Sequence, residues 1–148
     1  MSDPEAEKSD KTEKKKDLGP PLKILLADDT AMNLALATKL LTRRGHNITA
    51  VENGLEALET FKANTFDVVL MDIHMPVMDG LESTIKIQEY EASQPSRPRT
   101  PIIAMTANNE QSDHERYLKS GMCGVITKPL NIKTIVTQIR EIMANYSS

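Results

Sequence analysis

Four short apolar runs in this sequence are each followed directly by residues whose side chains can do chemistry. These residues are, in chain order, Asp28 with Asp29, then Asp72, then Thr106, and last Thr127 with Lys128 and Pro129. In an open parallel sheet the ligand site lies outside the carboxyl ends of the strands. We therefore predict that three carboxylates, a hydroxyl and an ammonium group meet at one edge of a sheet.

The composition of this cluster indicates magnesium-dependent phosphoryl transfer. Three acids and one lysine leave an excess of negative charge that a divalent cation would offset. Oxygen ligands, without a set of thiolates or histidines, favour Mg²⁺ over zinc. An aspartate at the centre could then attack a phosphoryl group to form an aspartyl phosphate, with lysine, metal and threonine stabilising the phosphoryl oxygens. No general base is needed, because the carboxylate is already ionised at neutral pH.

The elements that must position these residues are visible as five apolar runs alternating with amphipathic segments. The runs cover residues 24–27, 48–51, 68–71, 102–105 and 125–126. Because they lack polar alternation, they are typical of strands buried on both faces. The alternation predicts an α/β fold, a parallel sheet with helices on its faces.

Spacing and capping residues predict the helices that lie between the apolar runs and after the last one. The clearest is C-terminal, where apolar residues recur on one helix face at positions 132, 135, 136, 139, 142 and 143. A stripe at positions 34, 37 and 41 predicts a helix that ends before Gly45. Asn53 with Glu56 resembles a capping box at the start of another helix. A mostly polar helix is expected over about 109–120.

Composition and charge exclude several classes of protein. The 148 residues carry 18 Lys and Arg against 21 Asp and Glu, with three Tyr, two Phe and no Trp. The chain lacks the basic stripe and stacking aromatics of nucleic-acid-binding proteins, so we predict no nucleic-acid partner. No apolar run approaches the roughly 18 to 20 residues that span a bilayer, and no secretory signal is evident. With Cys123 as its single cysteine, the chain is expected in a reducing compartment, the cytoplasm or the nucleus of a eukaryotic cell.

Two polar segments are expected to lie outside the helices and strands. Residues 1–20 hold almost no apolar residue and are predicted to be a disordered charged tail, with the folded domain over residues 21–146. Residues 91–100, EASQPSRPRT, are predicted to be an extended surface loop. This loop could be a plain insertion or could bind a partner.

The sequence resembles the receiver domain of two-component response regulators. The resemblance is carried by Asp28-Asp29, MDIHMPVMDG around Asp72, AMTAN around Thr106, and Lys128-Pro129, in this order between about residues 23 and 143. It is most similar to receivers of hybrid histidine kinases and to stand-alone receivers. The resemblance implies a flavodoxin-like (βα)5 fold, a three-layer sandwich with strand order 2-1-3-4-5.

The resemblance also implies how phosphate would be handled. Asp72 would be the phosphoacceptor, Thr106 and Lys128 would contact the phosphoryl oxygens, and Pro129 would follow a cis peptide bond. The donor would be a histidine kinase or a histidine phosphotransfer protein. The output would be a changed affinity for an unidentified downstream protein, through the face formed by the polar helix, the last strand and the last helix.

The metal site is implied in the same way. Asp29, Asp72 and the backbone carbonyl of His74 would bind Mg²⁺, with Asp28 acting through a water molecule. We further predict that the His74 side chain borders the path of attacking water and so tunes the lifetime of the aspartyl phosphate.

Val125 departs from the family pattern. Receivers usually have Tyr or Phe at this position, three residues before the lysine, and the inward swing of that ring accompanies phosphorylation. We therefore predict that the signal is carried mainly by Thr106 and the backbone of residues 106–109.

Two alternatives remain open at this point. One is a phosphorylation-independent interaction module on the same fold, although such proteins typically lose one or more of the site residues. The other is a phosphatase of the haloacid dehalogenase type, which would need a second aspartate where this chain has His74, and a cap insertion. Our interpretation is a receiver that promotes its own phosphorylation and slow dephosphorylation but is not an enzyme with a separate substrate.

Overall fold

The sheet is built from five parallel strands in the order β2-β1-β3-β4-β5. The computed structural model describes residues 19–107, 111–131 and 133–147. The strands are β1 (Lys23–Ala27), β2 (Asn47–Val51), β3 (Val68–Asp72), β4 (Ile102–Thr106) and β5 (Gly124–Thr127). The helices are α1 (Ala31–Arg43), α2 (Gly54–Ala63), α3 (Gly80–Ala92), α4 (Gln111–Lys119) and α5 (Ile135–Ser147). The flavodoxin-like α/β fold and its strand order are thereby confirmed.

Two apolar layers hold the helices on the sheet. Strand residues alternate between them, so that Leu25 belongs to one layer while Ile24 and Leu26 belong to the other. The first layer receives α2, α3 and α4, and the second receives α1 and α5. The result is the expected three-layer sandwich.

The local helix signals agree with the structure. Asn53 accepts a hydrogen bond from the Glu56 N–H at 2.8 Å and so caps α2. Gly45, the residue after the C-cap Arg44 of α1, has a φ of 100°, a conformation that glycine adopts without strain. The α1 stripe is buried, and so are Ile135, Val136 and Ile139 of α5. Position 132 lies outside the described residues.

β2 differs from the prediction of strands buried on both faces. Only Val51 of its five residues is buried. β2 pairs with β1 alone and forms an edge of the sheet, so its outer side has no neighbouring strand.

The segment after Tyr90 also differs from the predicted extended loop. α3 continues to Ala92, and the Arg97 N–H donates to the Gln94 carbonyl at 2.9 Å in a turn. The Arg97 guanidinium lies 4.4 Å from the centroid of the Phe61 ring and donates to the Phe61 carbonyl at 2.9 Å. These contacts fix the segment against the end of α2, so it is anchored rather than extended.

The predicted tail lies outside the described residues up to position 18. Gly19 and Pro20 are described, and the Pro20 carbonyl accepts a hydrogen bond from Arg140 Nη2 at 2.7 Å. Within the described ranges, no helix combines the length and the apolar character needed to cross a membrane.

Candidate functional site

The ends of β1 and β3 bring three carboxylates together. Ala27 pairs with Met71 in the parallel ladder, so the residues that follow each strand position are neighbours. The strand order reverses between β1 and β3, because β2 lies on one side of β1 and the later strands lie on the other, and open α/β sheets place their ligands at this point. Asp28, Asp29 and Asp72 each offer a carboxylate oxygen, and these oxygens all lie within 4.8 Å of one another. Asp28 and Asp72 are buried, with 3% and 6% exposure, whereas Asp29 is exposed.

Lys128 reaches this cluster from the far side of β4. Its Nζ lies 3.0 Å from Asp28 Oδ2 and 3.1 Å from Asp72 Oδ2. Its backbone N–H donates to the Thr106 carbonyl at 2.8 Å, which ties the end of β5 to the end of β4. The Lys128–Pro129 peptide bond is cis. One ammonium group is thus shared between two buried carboxylates.

The charges in the site are unbalanced. Burial raises the pKa of Asp72 above its usual value, and the charges of Asp28 and Asp29 raise it further, although Lys128 opposes this. For Lys128, burial alone would lower the pKa, but the hydrogen bonds and charges of Asp28 and Asp72 outweigh burial and raise it. The ammonium group is therefore held in its charged form beside an excess of carboxylates. Three hard oxygen donors with a net negative charge fit a bound Mg²⁺.

Thr106 lies at the end of β4, next to the cluster in the sheet. Met105 pairs with Asp72, and Thr106 follows it as a buried residue with 2% exposure. The structure therefore brings Thr106 to the same edge as the carboxylates and Lys128. Residues 108–110, which include part of the predicted signalling segment, lie outside the described residues.

Sequence reasoning did not predict two contacts that hold the site residues in place. The Thr30 N–H donates to Asp28 Oδ1 at 2.9 Å, leaving Oδ2 to Lys128. Gly80 begins α3, and a Cβ at this position would lie 2.1 Å from the Asp72 carbonyl oxygen. The signal that could have revealed Gly80 is a glycine directly after the helix cap Asp79, whose side chain accepts from the Glu82 N–H at 2.8 Å.

His74 and Val125 are placed at different depths. His74 is exposed, two residues after Asp72. Val125 is half-buried and packs against the layer that contains Tyr117, a fully buried residue of α4. Sequence reasoning identified the missing aromatic residue on β5 but did not identify this buried ring on α4.

Exposed apolar residues of α1 lie on one side of the cluster. Met32, in the first turn of α1, is 77% exposed, and Leu36, one turn later, is also exposed. Between α1 and the residues after β5 lies a groove of about 370 Å³. Leu36 and Leu40 line one part of it, and Asp28 and Lys128 line its polar end. A protein bound over the cluster would also cover the exposed side chains of Met32 and Leu36, which together form an apolar rim.

Comparisons with known proteins agree with this geometry. The family model of the response regulator receiver domain matches residues 24–140. Hybrid signal transduction histidine kinase I of Dictyostelium discoideum is 40% identical over an alignment of 131 residues that covers 85% of this chain and 7% of that protein. Probable histidine kinase 1 of Oryza sativa subsp. indica is 35% identical over 140 residues, covering 76% of this chain and 14% of that protein. The chain thus spans a small part of the length of these relatives.

Two solved structures are similar in fold and sequence. The Saccharomyces cerevisiae Ssk1 receiver domain, crystallised with the histidine phosphotransfer protein Ypd1, has a TM-score of 0.80 and 27% identity, covering 86% of this chain and 92% of that chain. The receiver domain of the sensor histidine kinase PA1611 from Pseudomonas aeruginosa has a TM-score of 0.73 and 30% identity, with 84% and 99% covered. The PA1611 receiver contains a magnesium ion coordinated in its active site cleft.

Proposed function

The chain belongs to the response regulator receiver domains, which accept a phosphoryl group in two-component phosphorelays, and we propose that Asp72 is the residue that accepts it here. The observation that carries this proposal is the sharing of Lys128 between Asp28 and Asp72. Both carboxylates contact this ammonium group, but Asp28 Oδ1 also accepts from the Thr30 N–H, whereas Asp72 is the last residue of β3, the middle strand of the five. Neither a phosphorylation-independent module nor an aspartate-nucleophile phosphatase is favoured by the comparisons.

The transfer itself requires only a nucleophile and charge stabilisation. An oxygen of the Asp72 carboxylate attacks the phosphorus atom of a phosphohistidine and forms a P–O bond. The P–N bond breaks, its electron pair returns to the imidazole nitrogen, and the imidazole takes up a proton from solvent. Because the nucleophile carries no proton, no general base is involved.

Lys128 and Thr106 stabilise the phosphoryl group in this proposal. The Lys128 ammonium is already 3.1 Å from Asp72 Oδ2, so it can neutralise a phosphoryl oxygen without a large movement. The Thr106 hydroxyl would donate to another of these oxygens. Mg²⁺, when bound by Asp29, Asp72 and the backbone carbonyl of His74, with Asp28 acting through water, supplies further positive charge to the phosphoryl oxygens.

The donor is proposed to be a protein phosphohistidine. The relatives are hybrid histidine kinases, and the Ssk1 receiver forms a complex with a histidine phosphotransfer protein. The apolar rim at Met32 and Leu36 offers such a protein a contact surface beside the acidic cluster. Downstream, the face of α4, β5 and α5 is proposed to change its affinity for another protein.

We propose that residues 21–146 form the receiver domain that carries out this transfer. The family match over residues 24–140 supports it. It would dephosphorylate slowly and turn over no separate substrate, acting in the cytoplasm or nucleus. The half-buried free thiol of Cys123 is in keeping with a reducing compartment.

Acetyl phosphate with Mg²⁺ tests the phosphoacceptor directly. Intact-mass analysis is expected to show one added phosphoryl group on the unaltered chain and none on Asp72→Asn. Asp67→Asn is the matched control, since Asp67 is an exposed carboxylate that accepts from the Lys23 N–H and lies outside the cluster. Labelling of Asp72→Asn to the level of the control would refute the assignment.

A further inference from the structure

Val77 has a backbone conformation that is unfavourable for its side chain. Its φ is 69°, and it is the one non-glycine residue with positive φ in the described part of the chain. The Met78 N–H donates to the Pro76 carbonyl at 2.7 Å, which makes Val77 the centre of a three-residue turn. A β-branched residue is strained in the left-handed region, because its Cβ crowds the neighbouring carbonyl oxygen.

The surrounding backbone holds this turn in place. The Gly80 N–H donates to the Ile73 carbonyl at 2.9 Å and closes the segment from residue 73 to residue 80. The Gly54 N–H donates to the Met78 carbonyl at 2.9 Å and braces the turn from the start of α2. A Cβ on Gly54 would lie 2.3 Å from that carbonyl oxygen, so this brace depends on glycine. The conformation of Val77 is therefore imposed by its neighbours.

Packing of the Val77 side chain does not account for its presence. Val77 is 76% exposed. Asparagine or glycine would fit the same backbone with less strain and would leave no apolar group in water. A residue that costs stability and is solvated in the free protein is better explained by a contact made in a complex.

The position of Val77 indicates which partner forms this complex. Both ends of the segment from residue 73 to residue 80 lie next to Asp72, because Ile73 follows Asp72 and a Cβ on Gly80 would lie 2.1 Å from the Asp72 carbonyl oxygen. Val77 lies midway along this segment, and its side chain is exposed. Because this segment directly follows Asp72, we expect a protein that carries a phosphohistidine to contact it during transfer, whereas a small phosphoryl donor has no need of such a contact.

We propose that Val77 is a specificity-determining contact for the phosphohistidine protein, with its isopropyl group buried against an apolar patch of that protein during transfer. This inference rests on the proposed function. The strained turn projects the side chain outward before the complex forms, so little side-chain entropy is lost on binding. Burial of a valine side chain can support roughly a tenfold change in association.

Val77→Asn separates this role from a structural one. We expect transfer from phosphorylated Ypd1 to slow by about tenfold, while labelling by acetyl phosphate is unchanged. Because the left-handed conformation suits asparagine, the Tm is expected to rise by roughly 2 to 5 °C. Val77→Gly serves as a second variant with the same expected loss of transfer. Ile85→Asn is the control, because Ile85 is an exposed apolar residue of α3, and it should leave transfer unchanged.

Comparing transfer from Ypd1 with labelling by acetyl phosphate distinguishes failure of this inference from failure of the proposed function. If Val77→Asn and Val77→Gly accept phosphate from Ypd1 at the unaltered rate, the contact does not exist. If Val77→Asn slows both donors equally, Val77 acts through the geometry of Asp72, which also overturns the inference. If the unaltered chain is labelled by acetyl phosphate but not by Ypd1, the proposed class of donor and this inference both fail. Absence of labelling from either donor would instead refute the proposed function.

Discussion

Asp72→Asn is expected to stabilise the fold when no divalent cation is bound. At an effective dielectric constant of about 20, the 3.1 Å contact with Lys128 is worth about 5 kcal/mol, and a carboxylate at the upper limit of 4.8 Å repels by about 3.5 kcal/mol. Two such carboxylates, one of them exposed and screened, nearly cancel the attraction. The desolvation cost of a buried ion then remains. We expect a gain of about 1 to 2 kcal/mol in the free energy of unfolding at neutral pH.

The dependence on pH follows from the raised pKa of Asp72. Since the folded state binds this proton more tightly than the unfolded chain, stability falls as the pH rises from the usual value near 3.8 through the raised folded value. The substitution Asp72→Asn removes this pH-dependent loss of stability. The difference in free energy of unfolding between the variant and the unaltered chain should therefore grow as the pH rises across that window.

Urea unfolding in EDTA and in Mg²⁺ tests the reasoning. Mg²⁺ at roughly ten times its Kd stabilises the unaltered chain by about 1.4 kcal/mol, so the advantage of Asp72→Asn should shrink or reverse. Asp67→Asn should show no such dependence on Mg²⁺. An Asp72→Asn variant less stable than the unaltered chain in EDTA would refute the argument, because the contact with Lys128 would then outweigh burial and repulsion.

Four further outcomes are expected. Arg97→Ala should lose about 2 kcal/mol of unfolding free energy, because it removes the guanidinium from the Phe61 ring and carbonyl, and urea unfolding unchanged from wild type would contradict this. Burial raises the pKa of the Cys123 thiol to about 11, so iodoacetamide at pH 8 should alkylate it about a hundredfold more slowly than in the unfolded chain, and equal rates would contradict that. His74→Ala should change the half-life of the aspartyl phosphate, and equal half-lives would remove the proposed role. On phosphorylation, NMR shifts should be larger at Thr106 and the following backbone than at Val125, and comparable shifts would count against the predicted signalling route.

The fold and the membership of the site followed from short-range features of the sequence. Apolar runs of four residues, each ended by a polar residue, indicated strands whose carboxyl ends share an edge. That reasoning brought Asp28, Asp72, Thr106 and Lys128 to one place, because the direction of parallel strands determines where their ends lie. Residue type and spacing together also indicated the cap at Asn53, since capping joins residues three apart.

Tertiary structure decided the features that join distant parts of the chain. Arg97 contacts Phe61, 36 residues away, and no local pattern indicates that pairing. The exposure of β2 depends on its place at the edge of the sheet, and that place is a property of strand order. The positive φ of Val77 is imposed through Gly54 and Gly80, which meet the turn from different elements. The sequence by itself thus determined which groups gather at the site, while their burial, their shared ammonium contact and the strained turn beside them arise only when the helices and strands pack.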